Sequence, residues 1–131
     1  MTGDPLNLAR FVQAQADGLF ERALAELEAG EKRSHWMWFI FPQHRDLGRS
    51  DTAKYFGLSG VAEARAFATH PLLGARLRSC CAAILPHLQS GKSAESILGP
   101  VDALKLRSSM EIFAQAQPAE PLFAAVLASA S

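Results

Sequence analysis

The chain lacks an excess of charge of either sign. Its 131 residues carry 13 Lys or Arg and 13 Asp or Glu, so the formal net charge is zero. A module dedicated to nucleic acid needs a basic excess to contact phosphates, and a polybasic membrane-binding patch needs the same excess. We therefore expect neither nucleic acid nor a membrane surface as a partner.

Long apolar runs are also missing. The longest strongly apolar run, from Trp36 to Phe41, is far shorter than the roughly 20 residues that a membrane-spanning helix requires. The first residues, Met1 to Pro5, do not show the basic and apolar regions of a secretory signal peptide. These two absences predict a cytoplasmic protein.

Cysteine is scarce, and the two that occur, Cys80 and Cys81, are adjacent. Neighbouring residues on a helix point about 100° apart, which is poor geometry for a disulfide between them. No third thiol or nearby histidine completes a zinc-ligand spacing. The sequence therefore predicts buried free thiols, no metal site and no cofactor.

The composition is otherwise that of an ordinary folded domain. Hydrophobic residues make up 49% of the chain and charged residues 20%, which excludes a disordered protein. We expect residues 1–131 to form a single helical domain, whose folded surface should measure about 6,800 Å² by the scaling of area with mass.

Apolar residues at helical spacing, separated by Gly and Pro, predict helices along the whole chain. The first helix should begin after Asp4-Pro5, carry Leu8 to Leu27 on its apolar face and end at Gly30. Further helices are expected at 61–69, 72–85, 103–116 and 121–130, and a short turn capped by Ser93 is expected through Leu98. Pro86 should end or kink the helix at 72–85, and Asp102 should cap the helix at 103–116. The last helix is expected to be truncated at Ser131.

The segment between Gly30 and the helix predicted at 61–69 contains an apolar block followed by a polar stretch. The apolar block that follows Ser34 is expected to form a short buried helix that Ser34 caps and Pro42 ends. A buried strand is the alternative, but no second strand signal offers it a partner. His44 to Gly60 is polar and contains glycine, so we expect a long ordered loop there. The sequence thus predicts an all-α fold, a single compact bundle of about five to seven helices with one long ordered loop.

Gln15 is a polar residue on the apolar face of the first predicted helix. A buried amide needs hydrogen-bond partners. A bond to the backbone of a neighbouring loop is the favoured explanation, and contact with a ligand is the alternative.

The aromatic block offers a second candidate site. Trp36 and Trp38 combine large apolar rings with indole N–H donors, His35 precedes them, and Gln43 follows the block. They either plug the core or form the wall of a pocket that stacks a planar ligand.

A third candidate is the stripe formed by Asp102, Lys105 and Ser109. On a helix these residues lie at positions i, i+3 and i+7, along the edge of the core face. Charged groups at such an edge are partly desolvated, which favours contacts with a ligand. The alternative is a capping aspartate with an ordinary ion pair on the helix surface.

Several motifs together resemble a known family over nearly the whole chain, in the same order. They are Phe11-Val-Gln-Ala-Gln15, Ser34-His-Trp-Met-Trp-Phe-Ile-Phe-Pro-Gln43, Leu47-Gly-Arg-Ser50, Glu63-Ala64, His70-Pro71 with Leu73-Gly74, and Asp102-Ala-Leu-Lys-Leu-Arg-Ser-Ser-Met110. The family is the widespread, mostly bacterial domain of unknown function 1810. The resemblance implies a small, all-α cytoplasmic protein and no established activity.

The resemblance brings two functional labels with it. Family members are sometimes described as calpastatin-like, which we discount because that inhibitor is largely disordered and this chain is apolar and periodic. A looser likeness to YbiA-like proteins implies N-glycoside or ADP-ribose chemistry, by analogy only. The sequence departs from the family pattern at Phe56, which looks inserted, and at its end, Ser131.

The leading hypothesis is a binding site for a small polar or nucleotide-like metabolite, with a hydrolase or N-glycosidase reaction as an extension. The predicted catalytic residues are His35, Glu63, Asp102 and Lys105, and the predicted ligand-binding residues are Gln15, Trp36, Trp38, Gln43, Ser50 and Ser109. The rival hypothesis is a non-enzymatic protein-interaction or structural module. The two differ in whether these residues converge on one concave pocket.

Overall fold

The structure, a computed structural model, describes residues 3–131. Within that range it contains nine α-helices and no β-strand, which confirms the all-α prediction. Their bounds are α1 Ala9–Ala14, α2 Leu19–Ala29, α3 Met37–Ile40, α4 Asp51–Tyr55, α5 Val61–Thr69, α6 Pro71–Gln89, α7 Ala94–Leu98, α8 Pro100–Ala116 and α9 Pro121–Ala130. Helices α1, α3, α4 and α7 have six residues or fewer. No helix in residues 3–131 is long and apolar enough to cross a membrane.

The two longest helices, α6 and α8, organise the bundle. Helix α8 packs against α5, α7 and α9, while α6 packs against α2, α5 and α9. A row of buried phenylalanine rings crosses the core from Phe11 through Phe67 and Phe113 to Phe123, with centroids 4.9 to 5.5 Å apart. Each ring comes from a different helix, so this row ties α1, α5, α8 and α9 together.

The prediction of one long first helix is wrong, because the helix is interrupted between Ala14 and Leu19 and forms two helices, α1 and α2. Asp17 has a φ of 59° and Gly18 a φ of 83°, both in the left-handed region. A right-handed helix cannot pass through two such residues. The apolar spacing continued across the break, which is why the pattern alone did not show it. Gly30 ends α2 in a left-handed conformation, as expected.

Three helix boundaries also differ from the sequence predictions. Helix α6 continues through Pro86, an exposed residue, to Gln89. Helix α8 begins at Pro100, so Asp102 lies in its first turn and does not cap it. Pro100 explains the earlier start, because its fixed φ is already suited to the first helical position. Ser34 does not cap α3; its hydroxyl donates to Glu26 instead.

Candidate functional site

The loop predicted from His44 to Gly60 is an ordered structure whose ends lie side by side. The backbone N–H of Leu58 donates to the carbonyl of Gln43 at 2.8 Å, and that of Arg45 donates to the carbonyl of Leu58 at 2.9 Å. A side chain at Gly57 would collide with the Cα atom of Arg45, so the two ends can meet only because this residue is glycine. We call residues 43–58 the closed loop; it contains a short 3-10 turn, Arg45–Leu47, and helix α4.

A buried ion pair fastens the closed loop to the bundle. Arg10 Nη2 donates to Glu63 Oε2 at 2.8 Å, and both side chains are less than a tenth exposed. The remaining guanidinium donors reach backbone carbonyls, among them those of Tyr55 and Gly57 in the loop. Glu63 Oε1 accepts from the backbone N–H and the hydroxyl of Ser59. All donors of Arg10 are thereby engaged within the protein, so Arg10 and Glu63 position the loop.

A groove of about 470 Å³ lies between the closed loop and α8. We call it the Lys105 groove. It is lined by Gln43, Leu47, Gly48, Arg49, Ser50, Ala53, Val101, Leu104, Lys105 and Ser108. Three of these residues, Gln43, Ser50 and Lys105, were predicted as site residues, and the fold brings them together from two segments, the closed loop and α8.

The polar groups of this groove have donors to spare. In the described structure, Arg49 makes no ion pair, and the Gln43 side-chain amide makes no hydrogen bond to protein. Ser50 accepts from the backbone N–H of Ala53 to cap α4, which leaves its hydroxyl proton free to donate outward. The lining contains two cations and no carboxylate, so the groove offers its donors to an anion.

Lys105 is held at one edge of the groove by a charge network. Its Nζ lies 3.8 Å from Asp102 Oδ1 and 5.2 Å from the centre of the Trp38 ring. The other oxygen of Asp102 lies 3.0 Å from Lys32 Nζ, which in turn lies 5.1 Å from the Trp36 ring. One carboxylate thus balances two ammonium groups, and a positive charge is left over beside the groove.

Trp36 and Trp38 have different environments. Trp36 is buried, and its indole N–H donates to Glu26 at 2.9 Å, so it is a core residue. Trp38 is partly exposed and borders a narrow crevice beneath the groove, together with Phe41, Gln43 and Lys105. Its ring is covered on one side by the Lys105 ammonium.

Glu26 collects four hydrogen bonds around the start of the aromatic block. They come from the hydroxyl of Ser34, the indole of Trp36 and the backbone N–H groups of Arg33 and Ser34. Burial raises the pKa of this carboxyl, but the hydrogen bonds outweigh burial and lower the pKa to about 2. The ionised form of Glu26 therefore stabilises the fold.

We expect the Glu26 interaction to disappear in acid. Its stabilisation is present above the ordinary glutamate pKa near 4.5 and is lost as pH falls toward the folded-state pKa of about 2. For a partly exposed group the loss should be about 2 kcal/mol, somewhat below the limit set by 1.36 kcal/mol per pKa unit. Urea unfolding at several pH values would measure it. The Glu26→Gln variant should lose most of this pH dependence, and an unchanged slope in that variant would contradict the assignment.

Seven of the ten predicted site residues do not line the Lys105 groove. Three of them, Asp102, Trp36 and Trp38, are described above, and the other four are His35, Glu63, Gln15 and Ser109. His35 is exposed. Glu63 borders a different groove, whose floor is its pair with Arg10. Gln15 is buried and donates to the carbonyl of Phe39 at 2.8 Å, which is the backbone contact favoured from the sequence. Ser109 is fully buried, and its hydroxyl has no partner in the described structure.

Sequence reasoning missed three groove residues on α8 and four in the closed loop. The three on α8, Val101, Leu104 and Ser108, lie at i, i+3 and i+7 and share one helical face with the predicted Lys105. Val101 and Leu104 are aliphatic and lie apart from the buried core residues Leu106 and Met110. This second aliphatic face of α8 was the signal that could have indicated the groove. Arg49 lies inside a motif that was noted only for its resemblance.

Two other grooves are less suited to a specific ligand. The larger, about 600 Å³, lies beside α1 and is mostly apolar, with Asp4 and His70 at its edge. The second, about 370 Å³, has the engaged pair of Arg10 and Glu63 as its floor. Within residues 3–131 no cluster of His, Cys, Asp or Glu could hold a metal ion. Cys80 and Cys81 are buried free thiols, and burial raises the pKa of Cys80 to about 12.

Comparisons with known proteins give a family but no activity. The family model described as protein of unknown function (DUF1810) matches residues 5–130. A solved structure, that of the conserved hypothetical protein Rv1873 from Mycobacterium tuberculosis, is 49% identical and superposes with a TM-score of 0.90, covering 95% of this chain and 87% of that one. No curated protein matches. None of these matches supports the weaker likeness to YbiA-like proteins.

Proposed function

The chain belongs to the DUF1810 family of proteins of unknown function, and we propose that it is a cytoplasmic protein whose Lys105 groove binds a small metabolite with an anionic group. The observation that carries this proposal is the composition of the groove lining. Arg49 and Lys105 face it together with Gln43, Ser50 and Ser108, and no carboxylate lines it. The chain as a whole has zero net charge, so the local excess of positive charge arises because the fold places Arg49 and Lys105 at the same groove.

The size and donor set of the groove support a small ligand. A volume of about 470 Å³ lies within the range of roughly 300–1,000 Å³ that is typical of small-molecule sites. Arg49 can bind a carboxylate or phosphate through two parallel hydrogen bonds, and Lys105 can add a point charge. Nucleotide-like metabolites of the ADP-ribose type belong to the class that such donors can bind.

A hydrolytic reaction would have to use the residues at the groove itself. Of the four predicted catalytic residues, Lys105 lines the groove and Asp102 lies 3.8 Å from its ammonium. His35 and Glu63 are not part of the lining. Binding is therefore the core of the proposal, and hydrolysis of a bound N-glycoside is an extension in which Asp102 is the candidate general base.

Replacing Lys105 with alanine should weaken binding of an anionic ligand by about 10- to 100-fold. The reason is that the variant loses a hydrogen bond to a charged group, which contributes about 1.5–3 kcal/mol. Thermal-shift screening of nucleotides, sugar phosphates and small organic acids would identify binders, and calorimetry would measure their affinity. Arg49→Ala should act in the same direction. Arg22→Ala removes an exposed arginine on α2 and serves as the control for loss of charge.

Two results would count against the proposal. One is that no compound of the panel binds at millimolar concentration. The other is that a binder keeps its affinity in both the Lys105→Ala and the Arg49→Ala variants, because such a ligand would lie elsewhere.

A protein-interaction module is the second candidate function, and one observation favours it. Leu47, Val101 and Leu104 are 56%, 65% and 61% exposed, and all three border the same groove. Clustered apolar side chains on a protein surface often mark a site where another molecule docks. A change in mass by analytical ultracentrifugation that Leu104→Ser abolishes would favour this candidate over a metabolite site.

A further inference from the structure

We infer that the ligand of the Lys105 groove is an amphipathic organic anion, with an aliphatic chain against Leu47, Val101 and Leu104 and a carboxylate at Arg49 and Lys105. The inference rests on the proposed function, since it names the chemical class that the same groove would take.

The apolar half of the inference comes from exposure. Within residues 3–131 five large hydrophobic side chains are strongly exposed, and three of them, Leu47, Val101 and Leu104, converge on this groove. Exposed aliphatic groups cost free energy in water unless something covers them. An aliphatic chain bound between these three side chains would bury apolar surface of the protein and of the ligand at the same time.

The polar half comes from the charge balance. Asp102 is already paired with Lys32 at 3.0 Å, and it approaches Lys105 only to 3.8 Å. Arg49 has no ion pair in the described structure. An anionic head would therefore meet Arg49, which has no ion pair in the described structure, and Lys105, which shares the carboxylate of Asp102 with Lys32. A cationic or neutral head would leave this excess of positive charge unbalanced.

The walls also discriminate against a planar base. None of the residues that line the groove is aromatic. The ring of Trp38 already lies under the Lys105 ammonium at 5.2 Å and borders a crevice of only about 10 Å³. A nucleobase would thus find no open ring on which to stack, whereas a flexible aliphatic chain needs none.

Calorimetric titration of the whole protein with octanoate, octanol, acetate and ADP tests the inference. Octanoate should bind, octanol and acetate should each bind at least tenfold more weakly, and ADP should bind more weakly than octanoate. Leu104→Ser and Lys105→Ala should each weaken octanoate binding at least fivefold. Leu72→Ser, which alters an exposed leucine on α6, should leave the affinity unchanged, and the melting temperature should confirm that all three variants are folded.

The alternative outcomes separate this inference from the proposed function. If ADP or a sugar phosphate binds through Lys105 and octanoate does not, the inference is overturned and the proposed function stands. If no anion binds, both fail. If octanoate binds equally well to Leu104→Ser and Lys105→Ala, it occupies another surface and the inference is wrong. A dimer that Leu104→Ser dissociates would overturn it as well, because the groove would then be an interface between two copies.

Discussion

Replacing Arg10 with alanine is expected to lower the free energy of unfolding by about 3–5 kcal/mol, the cost of breaking a buried ion pair from one side. The variant would leave Glu63, which is 3% exposed, without its cation. It would also remove the donors that hold the carbonyls of Tyr55 and Gly57. Since many domains are stable by only about 5–15 kcal/mol, this single change should remove a large part of the total.

Guanidinium unfolding followed by tryptophan fluorescence would measure the loss. Arg22→Ala is the matched control, because Arg22 is exposed on α2 and surface substitutions usually change stability by less than about 0.5 kcal/mol. Hydrogen exchange at the amide of Leu58, which closes the loop, should accelerate in Arg10→Ala. A loss below about 1 kcal/mol would show that the pair does not anchor the closed loop, given the cost expected for an unpaired buried charge.

Phe67→Ala should destabilise the protein by about 3–5 kcal/mol through the cavity that it leaves in the core. Phe67 is fully buried at the centre of the aromatic row. Its ring meets that of Phe11 edge to face at 4.9 Å and that of Phe113 at 5.5 Å. The substitution therefore loosens α1, α5 and α8 at once.

Thermal and chemical unfolding would compare this variant with Phe67→Leu, which keeps most of the apolar volume and should lose distinctly less. Equal losses in the two variants would mean that the aromatic contacts, and not the buried volume, carry the stability. A small loss in both would contradict the central position assigned to Phe67.

The sequence predicted the helical class and several helix bounds because both depend on local signals. Val61–Thr69 and Pro121–Ala130 are helical as predicted, since apolar periodicity and a proline at the start act within a few residues. The break at Asp17 and Gly18 was missed because the apolar spacing continues across these two residues. A single glycine is tolerated in many helices. The φ of 83° at Gly18, next to that of 59° at Asp17, shows that no right-handed helix passes through this one, which instead precedes the first residue of α2.

The candidate site could be predicted only in part, because it is assembled from distant segments. Gln43, Ser50 and Lys105 were chosen individually, yet nothing local indicated that α8 and the closed loop share a groove. The ion pair of Arg10 with Glu63 joins residues 53 positions apart in the sequence, so no local pattern could indicate it. On α8 the stripe of Asp102, Lys105 and Ser109 proved to be divided between a charge network, the groove and the core. Asp102 and Ser109 were predicted because they lie along the edge of the core face. The residues of α8 that line the groove are instead Val101, Leu104, Lys105 and Ser108.

The side-by-side ends of the closed loop have a consequence for how this fold can diversify. Gln43 and Leu58 are hydrogen-bonded neighbours, so the segment between them begins and ends at nearly the same point of the bundle. Lengthening such a loop adds little closure entropy, and its exposed tip around Arg45 to Ser50 can change without moving α3 or α5. Related sequences could therefore replace one wall of the groove while the helices that carry it stay unchanged.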